Sequence, residues 1–226
     1  MPERVLQTAA GFQTIHVDDS LLVLNKPAGL LSVPGRGEDK QDCLSRRVQQ
    51  HYPDALVVHR LDMATSGLML MARGPAMQRA LGSLFENRAI EKRYVAVVEG
   101  HLPCSLDWQL IDLPIAVDWP HRPLRTINAS SGQPSQTRWR ALSYCKPTDS
   151  TRLELEPQTG RSHQLRVHLQ ALGHPILGDA LYAPPAVQAK APRLLLHACA
   201  LAFRRPATVP SQSMGEWLHF ESMPDF

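Results

Sequence analysis

The chain has 226 residues, 43% of them hydrophobic, with 24 Lys and Arg against 21 Asp and Glu and a net charge of +3. That length and apolar fraction allow a sizeable core, as one domain or as two lobes sharing one sheet, and exclude a disordered chain. The near balance of charge excludes a histone-like basic tail, so a nucleic-acid partner would need cations clustered on one face.

Residues 1–13 read as a short N-terminal arm. Met1-Pro2-Glu3-Arg4 lacks the charged-then-apolar pattern of a leader, and no apolar run approaches the roughly eighteen residues of a membrane span. A soluble cytoplasmic protein with no membrane partner is the expectation. Ile15 to Lys26 reads as strand, Asp18-Asp19 turn, strand, with Lys26 at the exit where Pro27 prevents continuation. Ala28 to Gly37 is a loop rich in Gly and Pro, but it lacks Gly-Lys-Ser/Thr and opens no helix, which argues against a phosphate-binding loop. Asp42 is placed to cap a helix running through His51 and stopped by Tyr52-Pro53, with Leu44 and Val48 inward and Arg46 and Arg47 on the solvated face.

Ala55-Leu56-Val57-Val58 and Leu68-Met69-Leu70-Met71-Ala72 read as buried strands, and between them lies His59-Arg60-Leu61-Asp62-Met63-Ala64-Thr65-Ser66-Gly67. An unpaired buried carboxylate costs several kcal/mol, so Asp62 needs a cationic partner or a function. The residues alone equally allow a surface turn, with Asp62 and Ser66 bonding their own backbone and Gly67 at positive φ. Pro75 opens a second helix whose Met77, Leu81, Leu84 and Phe85 keep helical spacing and form core. Glu91 to Gly100 returns to strand composition, with Tyr94 just after Lys92 and Arg93; a strand tyrosine is ordinarily packing with a satisfied hydroxyl.

Residues 113–140 carry Trp119, His121, Arg122, Arg125, Arg138, Trp139 and Arg140, with four prolines excluding regular helix and no acid between Asp118 and Asp149. Rings interleaved with cations suit looped RNA, since cations hold phosphates and flat groups receive unstacked bases; the alternative is a long solvated hairpin. Thr151 to Pro157 alternates as a half-exposed strand. Ser162 is then a plausible N-cap for a helix with Leu165, Leu169 and Leu172 on one face, ended by Gly173 with Pro175 beyond. Arg161 stands in the strand-to-helix turn, a common place for functional residues. His163 and His168 are five apart, which does not align them as metal ligands, so one is read as packing or capping. Arg193 to Ala198 reads as a buried strand and Glu216 to Phe220 as one more. The four cysteines, Cys43, Cys104, Cys145 and Cys199, form no C-x-x-C pair, which argues against zinc, and a chain this long does not call for a disulfide framework.

Three stretches together resemble the RluA family of RNA pseudouridine synthases. They are His59-Arg60-Leu61-Asp62-Met63-Ala64-Thr65-Ser66-Gly67-Leu68, the Lys92-Arg93-Tyr94 entry to a strand, and Thr159-Gly160-Arg161-Ser162-His163-Gln164-Leu165-Arg166-Val167-His168. Asn25-Lys26-Pro27-Ala28-Gly29 and Ile176 to Tyr182 continue the pattern, while Asp118 to Pro123 and Gly132 to Thr137 resemble the branch that gives the family its name. The resemblance runs from about residue 14 to the C-terminus. It implies an α+β pseudouridine synthase fold over 14–226, a mixed, mostly antiparallel sheet spanning two lobes with a central cleft. One departure from many relatives is that about fourteen residues precede the first motif, too few for the S4 RNA-binding domain that several carry, so RNA recognition is expected to fall to the catalytic domain itself.

By the same resemblance Asp62 is catalytic, Arg161 is its ion-pair partner and Tyr94 stacks on the target base. Arg60 is expected to fill the space that the base vacates, because a planar guanidinium can stack and hydrogen-bond in its place. An aliphatic residue packing against the tyrosine is placed at Leu196. His59, Thr65, Trp119, Arg122, Arg125 and Arg166 complete the expected substrate contacts. The family uses neither metal nor cofactor. The expected substrates are an anticodon-loop uridine of tRNA and a loop uridine of 23S rRNA, and a monomer without a protein partner is expected. Two other classes compete: a non-catalytic RNA-binding or ribosome-assembly protein on the same fold, and a hydrolytic nucleosidase that would release free uracil.

Overall fold

The computed structural model describes residues 11–207 and 215–226. In chain order the elements are β1 (Gln13–Val17), β2 (Leu21–Lys26), α1 (Leu44–Gln49), β3 (Ala55–Val57), β4 (Ser66–Arg73), α2 (Pro75–Glu86) and β5 (Glu91–Glu99). There follow β6 (Gln109–Asp112), β7 (Ile115–Val117), β8 (Arg125–Ile127), β9 (Gln136–Cys145), β10 (Ser150–Pro157), α3 (Gln164–Ala171), α4 (Pro185–Gln188), β11 (Leu196–Arg204) and β12 (Trp217–Glu221). Strand-rich with few helices, the chain has an α+β fold. It divides into two compact units, Met1–Lys92 with Ala198–Asp225, and Arg93–His197 with Phe226.

The first unit is organised on β2 and β4, which pair antiparallel with Leu21 opposite Ala72 and Lys26 opposite Gly67. Leu21–Leu24 and Leu68–Ala72 are fully buried because both faces are covered. On one face Leu21, Val23, Leu68, Leu70 and Ala72 meet Met77, Leu81 and Leu84 of α2. On the other, Leu22, Leu24, Met69 and Met71 meet Leu44 and Val48 of α1. Double burial explains why these strands are uninterrupted apolar runs rather than alternating ones. β1 borders β2, β3 pairs with the last residues of β4, and β12 pairs with β11. Gly67, at φ +113, lets the start of β4 pass so close to Ala198 that a Cβ would lie 2.3 Å from the Ala198 carbonyl oxygen.

Two local expectations give way here. Asp42 does not cap α1, whose N-cap is Cys43 without a side-chain bond. Its carboxylate instead takes Arg47, with Nε to Oδ1 at 2.7 Å, an ion pair one turn along that outcompetes the backbone amides. Of the arm 1–13, residues 1–10 lie outside the described residues, while Phe12 is buried against Leu22 and Leu44 and Gln13 already opens β1.

In the second unit β10 lies between β5 and β9, with β6 beyond β9, all antiparallel. β10 alternates as expected: Thr151, Leu153 and Leu155 are buried while Glu154 and Glu156 face outward. Those acids change the reading of the basic stretch. Arg138 pairs with Glu156 at 3.4 Å and Arg140 with Glu154 at 2.6 Å, and Arg93 reaches Glu156 at 3.2 Å. All three guanidiniums also lie over the Trp108 ring. Trp139, only 6% exposed, is core. The cations of β9 are therefore neutralised from a neighbouring strand that linear spacing does not reveal.

Candidate active site

In the first unit β3 pairs with β4 from Ala55–Arg73 to Val57–Met71 and stops there. The next amide, Leu70 N, is taken by a side chain: it donates to His59 Nε2 at 2.8 Å. The His59 ring stacks on Phe85 of α2 with centroids 4.5 Å apart. Burial, and secondarily the Lys92 charge, pushes its pKa down to about 3, so the imidazole is a neutral acceptor. Through Nε2, His59, expected among the substrate contacts, holds the strand from which the next loop departs.

That loop, 58–65, is fixed on both sides of Asp62. Before it, Ser32 Oγ donates to Leu61 O at 2.7 Å and accepts from Leu61 N at 3.1 Å. After it, Met63 O accepts from Gly29 N at 2.8 Å and from Lys26 Nζ at 3.1 Å. Thr65 N closes a turn onto Asp62 O at 3.1 Å. Lys26 has no exposed surface, and its Nζ donates also to Pro27 O and Leu30 O, both at 2.8 Å, which uses all three of its protons. Burial lowers its pKa to about 8, against the attraction of Asp62, which raises it. Within this frame Asp62 is half-buried, Arg60 and Met63 are exposed, and Thr65 is buried. The sequence marks Lys26 as a strand exit and as part of the Asn25-to-Gly29 stretch that resembles the family, but gives it no role beside Asp62, and it passes over Ser32. The available signal was a lysine ending a run of buried positions.

In the second unit Tyr94 is half-buried on β5, opposite Leu155, and Leu196 is buried at the start of β11. Arg161 is exposed in the turn before α3, with its Nε 3.4 Å from Pro134 O. Ser162 does not cap α3; the N-cap is His163, at φ +58, with no side-chain cap bond. The turn is held instead from inside the helix. Gln164 Oε1 accepts from Arg161 N at 3.0 Å and from Thr159 Oγ1 at 2.8 Å, and its Nε2 donates to Gln136 O at 2.9 Å and Thr137 Oγ1 at 3.0 Å. His168 is fully buried between Thr137 Oγ1 and Leu113 O, which is packing rather than ligation. Leu172 is 38% exposed, so the inward face of α3 ends at Leu169.

Arg166 also departs from expectation. Only 4% exposed, it forms a two-pronged pair with Asp179, Nε–Oδ2 at 2.8 Å and Nη2–Oδ1 at 2.6 Å. A guanidinium so enclosed has no path to a phosphate, so Arg166 is a structural residue rather than a substrate contact.

The remaining RNA-contact candidates lie on one hairpin. β7 and β8 pair antiparallel, Val117 opposite Arg125, and the segment between them carries Trp119, His121 and Arg122. Its apolar base, Ile115 with Leu124 and Ile127, packs on Val167 and Tyr182. At the tip Trp119 is 68% exposed and Arg122 lies over its ring at 3.6 Å. Arg125 is half-buried and donates through Nη1 to Pro123 O and Leu124 O. An exposed ring next to cations on a braced hairpin can receive an unstacked base.

Among the described residues no group of three or more His, Cys, Asp or Glu is arranged to hold a metal ion. Among them also, no helix is long and apolar enough to cross a membrane.

A family model described as RNA pseudouridylate synthase matches residues 20–171. The chain is 47% identical over 212 residues to the dual-specificity RNA pseudouridine synthase RluA of Escherichia coli K12, covering 94% of this chain and 93% of that one. It is 45% identical over 212 residues to the protein of the same name from Yersinia pestis, covering 94% and 98%. Among solved structures, the human RNA pseudouridylate synthase domain containing 1 aligns with a TM-score of 0.77 at 26% identity, over 97% of this chain and 86% of that one.

Proposed function

Because the chain belongs to the RNA pseudouridylate synthase family, as an RNA pseudouridine synthase of the RluA type, we propose that Asp62 is its catalytic carboxylate. Arg161 then serves as the ion-pair partner of that carboxylate and Tyr94 stacks on the flipped uracil. The reaction is an isomerisation. The C1′–N1 bond of uridine breaks, the uracil turns, C5 bonds to C1′, and the C5 proton is lost as N1 gains one. Asp62 supports it either as a nucleophile that holds C1′ or as a base that takes a sugar proton. No cofactor takes part in these steps.

The observation that carries the reading is the frame around Asp62. The backbone on both sides is fixed by Ser32, Gly29 and Lys26, while the residue itself stays half-buried rather than sealed in the core. A carboxylate held in one geometry gains effective concentration against its substrate, which is the property this chemistry needs. Arg60, exposed two residues before it, fills the space left by the extruded base, Thr65 contacts the substrate, and Leu196 packs against Tyr94. Trp119, Arg122 and Arg125 bind the surrounding RNA.

The substrates are an anticodon-loop uridine of tRNA and a loop uridine of 23S rRNA, in line with the dual-specificity names of the relatives. The enzyme works as a cytoplasmic monomer, with residues 14–226 as one catalytic domain. Pseudouridine mapping in RNA from a strain lacking the gene tests this. One tRNA position and one 23S position should lose the modification and regain it on complementation, and unchanged maps would reject the substrate assignment.

A further inference from the structure

We propose that Tyr182 is a positioning residue that couples the RNA-binding hairpin 115–127 to the turn carrying Arg161; the inference rests on the function proposed above, in which both elements serve the same reaction. The phenol oxygen bonds both. Arg125 N, at the start of β8, donates to it at 2.9 Å, and His163 Nδ1 lies 2.6 Å from it. Burial raises the phenol pKa, so the group keeps its proton. The Arg125 amide donates to the oxygen, and the second bond joins it to His163 Nδ1, with its direction set by the imidazole tautomer. His163 is the first residue before α3 and stands two positions after Arg161, in a left-handed conformation that is uncommon for a non-glycine residue.

The ring is itself held. Tyr182 is 5% exposed, Arg166 Cζ lies 5.0 Å from its centroid, and Asp179 Oδ1 accepts from the amides of Leu181 at 2.9 Å and Tyr182 at 3.2 Å. The buried Arg166–Asp179 pair thus fixes the ring, and the ring fixes the hydroxyl. Packing against Ile115, Leu124, Ile127 and Val167 needs only the ring. The hydroxyl is therefore separable from the fold, and its two bonds form a link between a surface that meets RNA and a turn assigned to the reaction.

Tyr182→Phe keeps the packing and removes the link. Amide exchange should quicken together at Arg125 and across 161–164, and kcat should fall about tenfold, the order expected for losing bonds of this kind. RNA affinity should weaken as well, while cooperative unfolding is retained. Trp119→Ala should cost less affinity in the Tyr182→Phe background than alone, because its hairpin is already uncoupled. His163→Ala, which cuts only the Arg161 side, should lower kcat and leave RNA affinity in place. Additive effects of Trp119→Ala and Tyr182→Phe, exchange that rises at only one of the two segments, or a kcat loss that follows the folded fraction would each overturn the coupling. If the unaltered chain forms no pseudouridine, the catalytic reading fails, and the exchange measurement still decides the link.

Discussion

The ammonium of Lys26 lies 3.1 Å from the carbonyl oxygen of Met63, the residue after Asp62, and donates to two further carbonyls of the segment it begins. A fully buried lysine is costly, and this one loses its proton near pH 8 rather than at the model-peptide value of 10.5. Lys26→Met should leave three carbonyls without that donor, destabilise the chain by about 1–3 kcal/mol and release the loop. Turnover should fall by about a hundredfold, as misplacing a reacting group does, with RNA affinity much less affected. The pH dependence has two signs. Between pH 8 and 10.5 the unfolded chain keeps a proton that the folded one has lost, so stability from this group rises with pH, while turnover falls as the ammonium is discharged. A kcat profile and thermal melts across that range check both, since the Met variant should lack this component of each.

His59 predicts an acid limb. Its folded pKa of about 3 lies below the ordinary 6.5, so between these values the unfolded chain binds a proton that the folded chain refuses. Stability should therefore drop as pH falls from 6.5 towards 3, with a slope of up to one proton. His59→Leu should remove that component of the slope, and at neutral pH should cost about 1–3 kcal/mol because Leu70 N loses its acceptor. Urea titrations at several pH values read both quantities.

Gly67→Ala places a Cβ 2.3 Å from Ala198 O and 2.5 Å from Ala198 N, at a φ of +113 that side chains rarely adopt. Neither neighbour is a flexible side chain that could yield. Strain and overpacking should together cost about 3 kcal/mol or more, visible as a lowered denaturant midpoint with unchanged m.

Arg166 and Trp119 should separate structure from recognition. Arg166→Ala leaves Asp179 buried and unpaired and should destabilise by about 3–5 kcal/mol. The salt dependence of RNA binding by the folded fraction should not change. Trp119→Ala, at an exposed tip, should alter stability by less than about 0.5 kcal/mol yet weaken RNA binding by about 1–3 kcal/mol. Arg122→Ala should lower the slope of log K against log salt by about one contact.

Much of this frame is legible in the sequence, for physical reasons. Apolar runs such as Leu21–Leu24 and Leu68–Ala72 have few alternatives to a doubly covered strand, and Pro75 with Met77, Leu81 and Leu84 marks α2 by cap and period. What escaped were contacts made by residues distant in sequence. Spacing suggests Ser162 as a cap, but Gln164 reaches back from within α3 to the turn, and only the neighbouring strand β9 explains why. Arg138 and Arg140 look unopposed until β10 supplies Glu156 and Glu154. The motif around Asp62 was readable, whereas the bonds that hold it come from Lys26 and Ser32, some thirty residues earlier in the chain.

The central claim is that the side chain of Asp62 carries the chemistry. Asp62→Asn keeps the shape of the residue and removes the charge, and its activity on an anticodon stem-loop transcript should be read as pseudouridine formed, alongside RNA affinity from a direct binding titration. The variant should form no pseudouridine while binding RNA within a few-fold of the unaltered enzyme. Pseudouridine formed at the unaltered rate would contradict it.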